Sequence, residues 1–257
     1  MQKPQTSAVI NRLLIANRGE IAIRVMRAAH ELGIKTVAIY SKEDRFSLHR
    51  TKADESYLVG EGKGPIDAYL DVDDIIRIAL DTQCDAIHPG YGFLAENPEF
   101  AEKARSAGIR FVGPTPETMR TLGNKVAARS LAIAADVPVM PATDPLSRDE
   151  QQMLDQARAV GYPVMLKASW GGGGRGMRVV EKEEELLEHV QAARREARAA
   201  FGNDEVYLEK LVRRARHLEV QLLGDSSGQL VHLWERDCTV QRRNQKVVER
   251  APAAFLS

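Results

Sequence analysis

The chain has 257 residues, 44% of them hydrophobic and 28% charged, which excludes wholesale disorder, collagen-like sequence and a disulfide-stapled miniprotein. Lys plus Arg number 36 and Asp plus Glu number 36, so the formal net charge is zero, which argues against a nucleic-acid-binding domain but leaves local basic patches open. No apolar run approaches the ~20 residues needed to span a bilayer, so no membrane segment is expected. Met1 to Asn11 lacks the apolar core of a signal peptide. Residues 1–19 hold three basic residues and no acid, yet a strand begins by Arg12, which leaves little room for a transit peptide. Cys84 and Cys238 lie far apart and form no paired motif, so a reduced, cytoplasmic protein without a zinc site is expected.

The first 115 residues alternate short apolar runs with helical spacing. Arg12 to Ala16 reads as a buried strand. Ile21, Val25, Ala28 and Leu32 then recur at helical spacing, with Gly33 as a C-cap. Strands follow at Thr36 to Tyr40, Ala86 to Ile87 and Ile109 to Val112. Helices separate the later ones, at Asp71 to Leu80 and Pro98 to Ala107. This alternation predicts a doubly wound parallel sheet, in which ligands gather at the C-terminal strand ends. Asn17-Arg18-Gly19-Glu20 and His88-Pro89-Gly90-Tyr91-Gly92 fall there.

The pattern changes after Pro114. Thr115 to Ala135 reads as two helices joined near Gly123, and Pro138, Pro141 and Pro145 as a linker. A helix is expected over Arg148 to Val160 and a strand over Pro163 to Ala168. A glycine loop then leads to a strand at Met177 to Val180. Leu186, Val190, Ala193 and Ala197 mark one face of a helix over residues 182–201, ending at Gly202. Strands follow at Val206 to Lys210, His217 to Leu223 and Leu230 to Glu235, with a turn at Asp225 to Gly228 between the last two.

Trp170-Gly171-Gly172-Gly173-Gly174-Arg175-Gly176 matches the dinucleotide fingerprint literally, but a strand follows it instead of a helix. No Gly-Lys-Ser/Thr follows either, so it is not a Walker A loop. The reading is a strand–loop–strand flap over phosphates, against a flexible surface hairpin. Lys167, just before it, is open to two readings: a snorkelling edge residue or a cation held for an anion. Lys125, alone, reads as a surface lysine, and His88 beside Pro-Gly as structural. Arg236 to Lys246 gathers four cations, either as a solvated loop or as partners for anionic reactants. The acidic run Glu181 to Glu185 reads as the start of a helix, not as a metal site.

Taken in order, Leu14 to Ala22, His88 to Gly92, Gly123-Asn124-Lys125, Lys167 to Met177, Glu209-Lys210 and Arg236 to Glu249 resemble the biotin carboxylase component of biotin-dependent carboxylases, within the ATP-grasp superfamily. The likeness runs from about Arg12 to Ser257. The Gly64 to Leu70 stretch, Ser169-Trp170 and Asn244 are most similar to the pyruvate carboxylase branch.

The resemblance implies an α/β fold. A doubly wound N-terminal domain over 1–122 would precede an incomplete ATP-grasp domain over 123–257, with a lid at about 142–212. It implies ATP-dependent carboxylation of protein-linked biotin by bicarbonate, feeding conversion of pyruvate to oxaloacetate. Lys125 and Lys167 would contact ATP phosphates, and Gly173 and Gly174 would close over them. Glu209, Lys210 and the Val212 backbone would hold adenine. His217, Gln241 and Asn244 would line the nucleotide site, although Asn244 replaces an imidazole. Lys246 would be catalytic, holding bicarbonate or carboxyphosphate. His88, Tyr91 and Gly92 would sit near the biotin and phosphate end of the cleft. Magnesium ligands would come after residue 257, so the chain is expected to be an inactive fragment. Biotin would arrive on a carrier domain, with a carboxyltransferase domain and a homo-oligomer as further partners. Alternatives are an acyl-CoA carboxylase, another ATP-grasp ligase, or a non-catalytic binding module.

Overall fold

A computed structural model describes residues 9–170, 177–225, 227–242 and 245–256. The predicted flap at Gly171 to Gly176, Ser226 of the predicted turn, and Asn244 lie outside the described residues. The chain divides into two compact units, one ending at Leu122 and the next beginning at Gly123.

The first unit runs β1 (Arg12–Ile15), α1 (Gly19–Glu31), β2 (Lys35–Tyr40), β3 (Glu55–Leu58), α2 (Val72–Asp81), β4 (Ala86–His88), α3 (Pro98–Ser106), β5 (Arg110–Phe111) and α4 (Pro116–Gly123). The five strands form one wholly parallel sheet in the order β3-β2-β1-β4-β5. Both faces are covered, and the strands alternate accordingly. Leu14, Val37, Ile39 and Ile87 pack with Ile75, Ile76 and Phe100 of α2 and α3. Leu13, Ile15, Ala38 and Ala86 pack with Ala22, Val25, Met26 and Ala29 of α1. The doubly wound sheet is thus present, with one strand more than expected. The buried face of α1 is 22/25/26/29, whereas the sequence reading was 21/25/28/32. Leu32 caps the helix and is 76% exposed. The chain leaves α1 through Gly33 at φ +72°, where a side chain would be strained.

Helix starts follow local side chains. Asp71 accepts from Asp74 N in α2, and Asn97 from Phe100 N in α3, where Pro98 fills the first turn.

The second unit runs α5 (Lys125–Ala134), α6 (Glu150–Val160), β6 (Val164–Ala168), β7 (Arg178–Val180), α7 (Leu186–Phe201), β8 (Val206–Lys210), β9 (Leu218–Gly224), β10 (Leu230–Arg242) and β11 (Gln245–Arg250). Two three-stranded antiparallel sheets form, β7-β6-β8 and β11-β10-β9. In the first, Val164, Leu166, Val206 and Leu208 face Met153 and Ala157 of α6 and Val190, Ala193 and Ala197 of α7. Gly202 ends α7 in the left-handed conformation at φ +71°. In the second sheet most large apolar side chains are exposed, among them Leu222, Leu223, Leu230 and Trp234. Its middle strand corrects the sequence reading. β10 continues through the Arg236 segment read as a loop, and β11 was not expected at all. A half-solvated strand needs no unbroken apolar run, so the charges concealed it.

Cys84 and Cys238 are both free and buried. Among the described residues no helix is long and apolar enough to cross a membrane.

Candidate functional site

In the first unit, the connections after β1 and β4 run to opposite faces, and the two strands are neighbours. Their following loops therefore meet at the C-terminal edge of the sheet, where open α/β sheets bind ligands. Asn17, only 2% exposed, donates through Nδ2 to the Pro89 carbonyl at 2.7 Å and to the Tyr91 carbonyl at 2.8 Å. Gly90 N donates to His88 Nδ1 at 3.0 Å. That bond makes Nδ1 an acceptor, and burial pushes the His88 pKa down, so the ring is neutral. The Tyr91 hydroxyl donates to Glu20, which raises the phenol pKa. Gly92 stands at φ +67°, and its carbonyl accepts from Ala95 N at 2.8 Å.

Arg18 turns elsewhere. Its Nε and Nη2 donate to the two oxygens of Asp44 at 2.5 and 2.6 Å. The Tyr69 hydroxyl and Ser47 Oγ complete the coordination of that carboxylate, at 2.7 and 2.8 Å. The Arg18 guanidinium, foremost, holds the Asp44 carboxyl well below the usual carboxylate range. The arginine that sequence reading places at a ligand-gathering edge is therefore a strut within the fold.

In the second unit, β6 and β8 alternate so that Lys167 and Glu209 leave the core side together. Their ion pair is 2.6 Å long, and both side chains are about three-quarters buried, at 21% and 25% exposure. Lys210 points the other way, donating to the carbonyls of Gly161 at 2.7 Å and Tyr162 at 3.2 Å. Beyond it Leu211 N still bonds Pro163 O at 3.3 Å, while Val212 makes no backbone hydrogen bond among the described residues. Lys125 opens α5 beside its cap, Asn124, whose Oδ1 accepts from Val126 N and Ala127 N at 2.9 and 3.0 Å. Lys125 N donates to Ser169 O at 3.1 Å, which ties the helix start to the end of β6.

The third cluster lies on the β9–β11 sheet. Glu219 receives Lys246 Nζ at 2.5 Å and Arg236 Nη1 at 2.5 Å, with His217 Nε2 at 3.6 Å. Chiefly through Lys246, the Glu219 pKa is lowered. Arg236 also pairs with Glu249. Gln241 Nε2 donates to the Cys238 carbonyl at 2.9 Å. Sequence reading named Lys246, His217 and Gln241 but missed Glu219 and Glu249, which hold the cations. A signal existed for Glu219: it lies two residues from His217, hence on the same strand face.

Glu219, Cys238 and Glu249 bring ligand atoms within 4.8 Å of one another. This set fits magnesium poorly. Thiol sulfur is too soft for that ion, and Arg236 and Lys246 already neutralise the carboxylates. Gly173, Gly174 and Asn244 lie outside the described residues.

Known proteins resemble this chain in sequence and fold. Residues 9–119 match the family described as "Biotin carboxylase, N-terminal domain". Residues 124–257 match "Carbamoyl-phosphate synthase L chain, ATP binding domain". Human mitochondrial pyruvate carboxylase is 54% identical over 96% of this chain and 21% of its own length. A Rhizobium etli pyruvate carboxylase structure, the T882A variant with the allosteric activator acetyl coenzyme A, is 63% identical. It superposes with a TM-score of 0.91 over 97% of this chain and 22% of that one. The biotin carboxylase domain dimer of Hydrogenobacter thermophilus 2-oxoglutarate carboxylase, in complex with MgADP, ADP and bicarbonate, is 46% identical. There the TM-score is 0.93, over 97% of this chain and 55% of that one. The chain thus spans about a fifth of the pyruvate carboxylases it matches. It belongs to the biotin carboxylase family, with that family's N-terminal domain and ATP-binding domain in succession on an ATP-grasp fold.

Proposed function

We propose that this chain serves the biotin carboxylase half-reaction of a pyruvate carboxylase: ATP activates bicarbonate, and the carboxyl group passes to a biotin carried by another domain. Residues 1–122 are the family's N-terminal domain and 123–257 its ATP-grasp region, with a lid near 142–212. The observation that carries the reading is the cluster on Glu219, where Lys246, Arg236 and His217 are gathered around one carboxylate. A small oxyanion entering there finds donors already oriented. In this reading Lys246 holds bicarbonate or carboxyphosphate. Lys125 and Lys167 meet the ATP phosphates, with Gly173 and Gly174 closing over them. Glu209, Lys210 and the Val212 main chain hold adenine, and His217, Gln241 and Asn244 line the nucleotide. His88, Tyr91 and Gly92 serve the biotin and phosphate end.

Magnesium, which the reaction class uses to offset phosphate charge, is held by carboxylates other than the Glu219–Cys238–Glu249 group, for the reasons of donor chemistry above. Carrier and carboxyltransferase domains, a homo-oligomer and a cytoplasmic setting belong to the same reading.

Two measurements test it. Titration calorimetry is expected to show ATP binding to the 257-residue chain, weakened at least about tenfold by Lys167→Ala, the loss of one charge-assisted contact. Bicarbonate-dependent ATP cleavage by the same chain is expected to be absent. Nucleotide binding that ignores Lys167 would overturn the assignment, whereas near-native bicarbonate-dependent turnover would support it and overturn only the expectation that the chain is an inactive fragment.

A further inference from the structure

The turn that carries Tyr91 is held from two directions by residues of the loop after β1. Asn17 Nδ2 takes two main-chain carbonyls, Pro89 and Tyr91, at 2.7 and 2.8 Å. Both donor hydrogens of that amide are thereby spent on one turn. The turn is shaped to accept them. Gly90 stands at φ +64°, and a Cβ there would lie 2.7 Å from Asn17 Nδ2 and 3.0 Å from Cγ. Any side chain at position 90 would push the amide out.

The second hold acts on the ring. Tyr91 is 62% exposed, and a tyrosine so placed ordinarily samples several rotamers. Here its hydroxyl donates to Glu20, in the first turn of α1. The backbone of that turn holds the acceptor's Cα in place. The main chain and the far end of the side chain are thus both anchored, which leaves the ring little freedom between them.

We infer that Asn17 and Glu20 are positioning residues, Asn17 fixing the backbone of the Pro89–Tyr91 turn and Glu20 fixing the Tyr91 ring as a preset shelf for biotin. The inference rests on the reading of Tyr91 as part of the biotin end. Neither residue touches the reacting atoms; each acts through Tyr91. An exposed ring that is already oriented can receive the planar ureido ring of biotin without first losing rotamer freedom.

The test combines tyrosine titration with a double-mutant cycle in the 257-residue chain. The Tyr91 phenol is followed by ¹³C NMR, with Tyr91→Phe assigning its signal. Glu20→Gln is expected to return its ionisation toward the ordinary tyrosine range, and Glu20→Asp to restore part of the shift. Free biotin is then titrated by ligand-observed NMR, with ATP binding measured in parallel. Glu20→Gln is expected to weaken biotin binding about tenfold and leave ATP binding unchanged. Adding Glu20→Gln to Tyr91→Phe is expected to cost nothing further. Asn17→Asp, which loses both donors, is expected to broaden the residue 89–91 amide signals; should it fail to fold, the exposed Glu20 variants still decide the matter. An unshifted Tyr91 titration, or additive losses on biotin, would overturn the inference. If wild-type chain binds no biotin, the reading of the biotin end fails, while the titration still judges whether Glu20 holds the ring.

Discussion

Asp44 concentrates more structure on one side chain than any apolar residue of its unit. Arg18, Tyr69 and Ser47 all donate to it, and its residue is 5% exposed. Removing its charge weakens the hold on a half-exposed guanidinium and perturbs the acceptor of a buried phenol. Asp44→Asn is expected to lower stability by about 1–2 kcal/mol, read as a shift in urea midpoint. Acid acts on the same loop in two windows. His49 is fully buried, its Nε2 meets Ile39 O at 3.2 Å, and desolvation lowers its pKa. A histidine held neutral in the fold keeps its contribution above its unfolded pKa and loses it as pH falls. Stability should therefore decline from about pH 6.5 downward, and again below about pH 4 as Asp44 begins to matter. His49→Gln is expected to reduce the upper decline, the remainder coming from the partly buried His88, and to leave the lower one, in thermal melts across pH. Neither burial is legible from residue order, since Asp44 and His49 sit in a polar stretch without period. Lys246 reads from the sequence as one of a group of cations, but the carboxylate it meets lies 27 positions away, and spacing along the chain carries no cross-strand register.

Among the elements, the strongest sequence signals were those with two-sided burial. β1, β2 and β4 were found because a sheet covered on both faces demands continuous apolar runs. β3 escaped because Glu55-Ser56-Tyr57-Leu58 is an edge strand, half-buried at best. The slip on α1 has a related cause. Ile21 and Leu32 are larger than Ala22 and Ala29, but alanine is what lets the helix approach the sheet closely. An Asn or Asp side chain caps several helix starts in the structure, and Asn124 is one of them. It opens the helix that begins at Lys125. Asn124→Ala is expected to cost about 1 kcal/mol, with Asn124→Asp restoring most of it, measured by chemical denaturation. Because Lys125 begins that helix, the alanine variant is also expected to weaken ATP binding; unchanged affinity would separate the cap from the site.

At the scale of the whole chain, the β9–β11 sheet is the outlier. Val220, Leu222, Leu223, Leu230, Leu233 and Trp234 are each more than half exposed. A surface this apolar attracts hydrophobic dyes and other protein surfaces. The 257-residue chain is expected to bind anilinonaphthalene sulfonate and to self-associate with rising concentration in sedimentation velocity. Leu222→Lys with Trp234→Lys is expected to reduce both. Composition could not reveal this, since 44% hydrophobic residues is an ordinary share whether they are buried or not. Charge behaves in the opposite way: the neutral total is matched by neutrality at short range. Lys167 already holds Glu209, and Lys246 already holds Glu219. An arriving anion must therefore share its lysine with a resident carboxylate, and the surrounding field gives it little guidance from afar. Capture should then depend weakly on ionic strength, and discrimination should arise at contact, from how well the ligand uses the donors the glutamate leaves open.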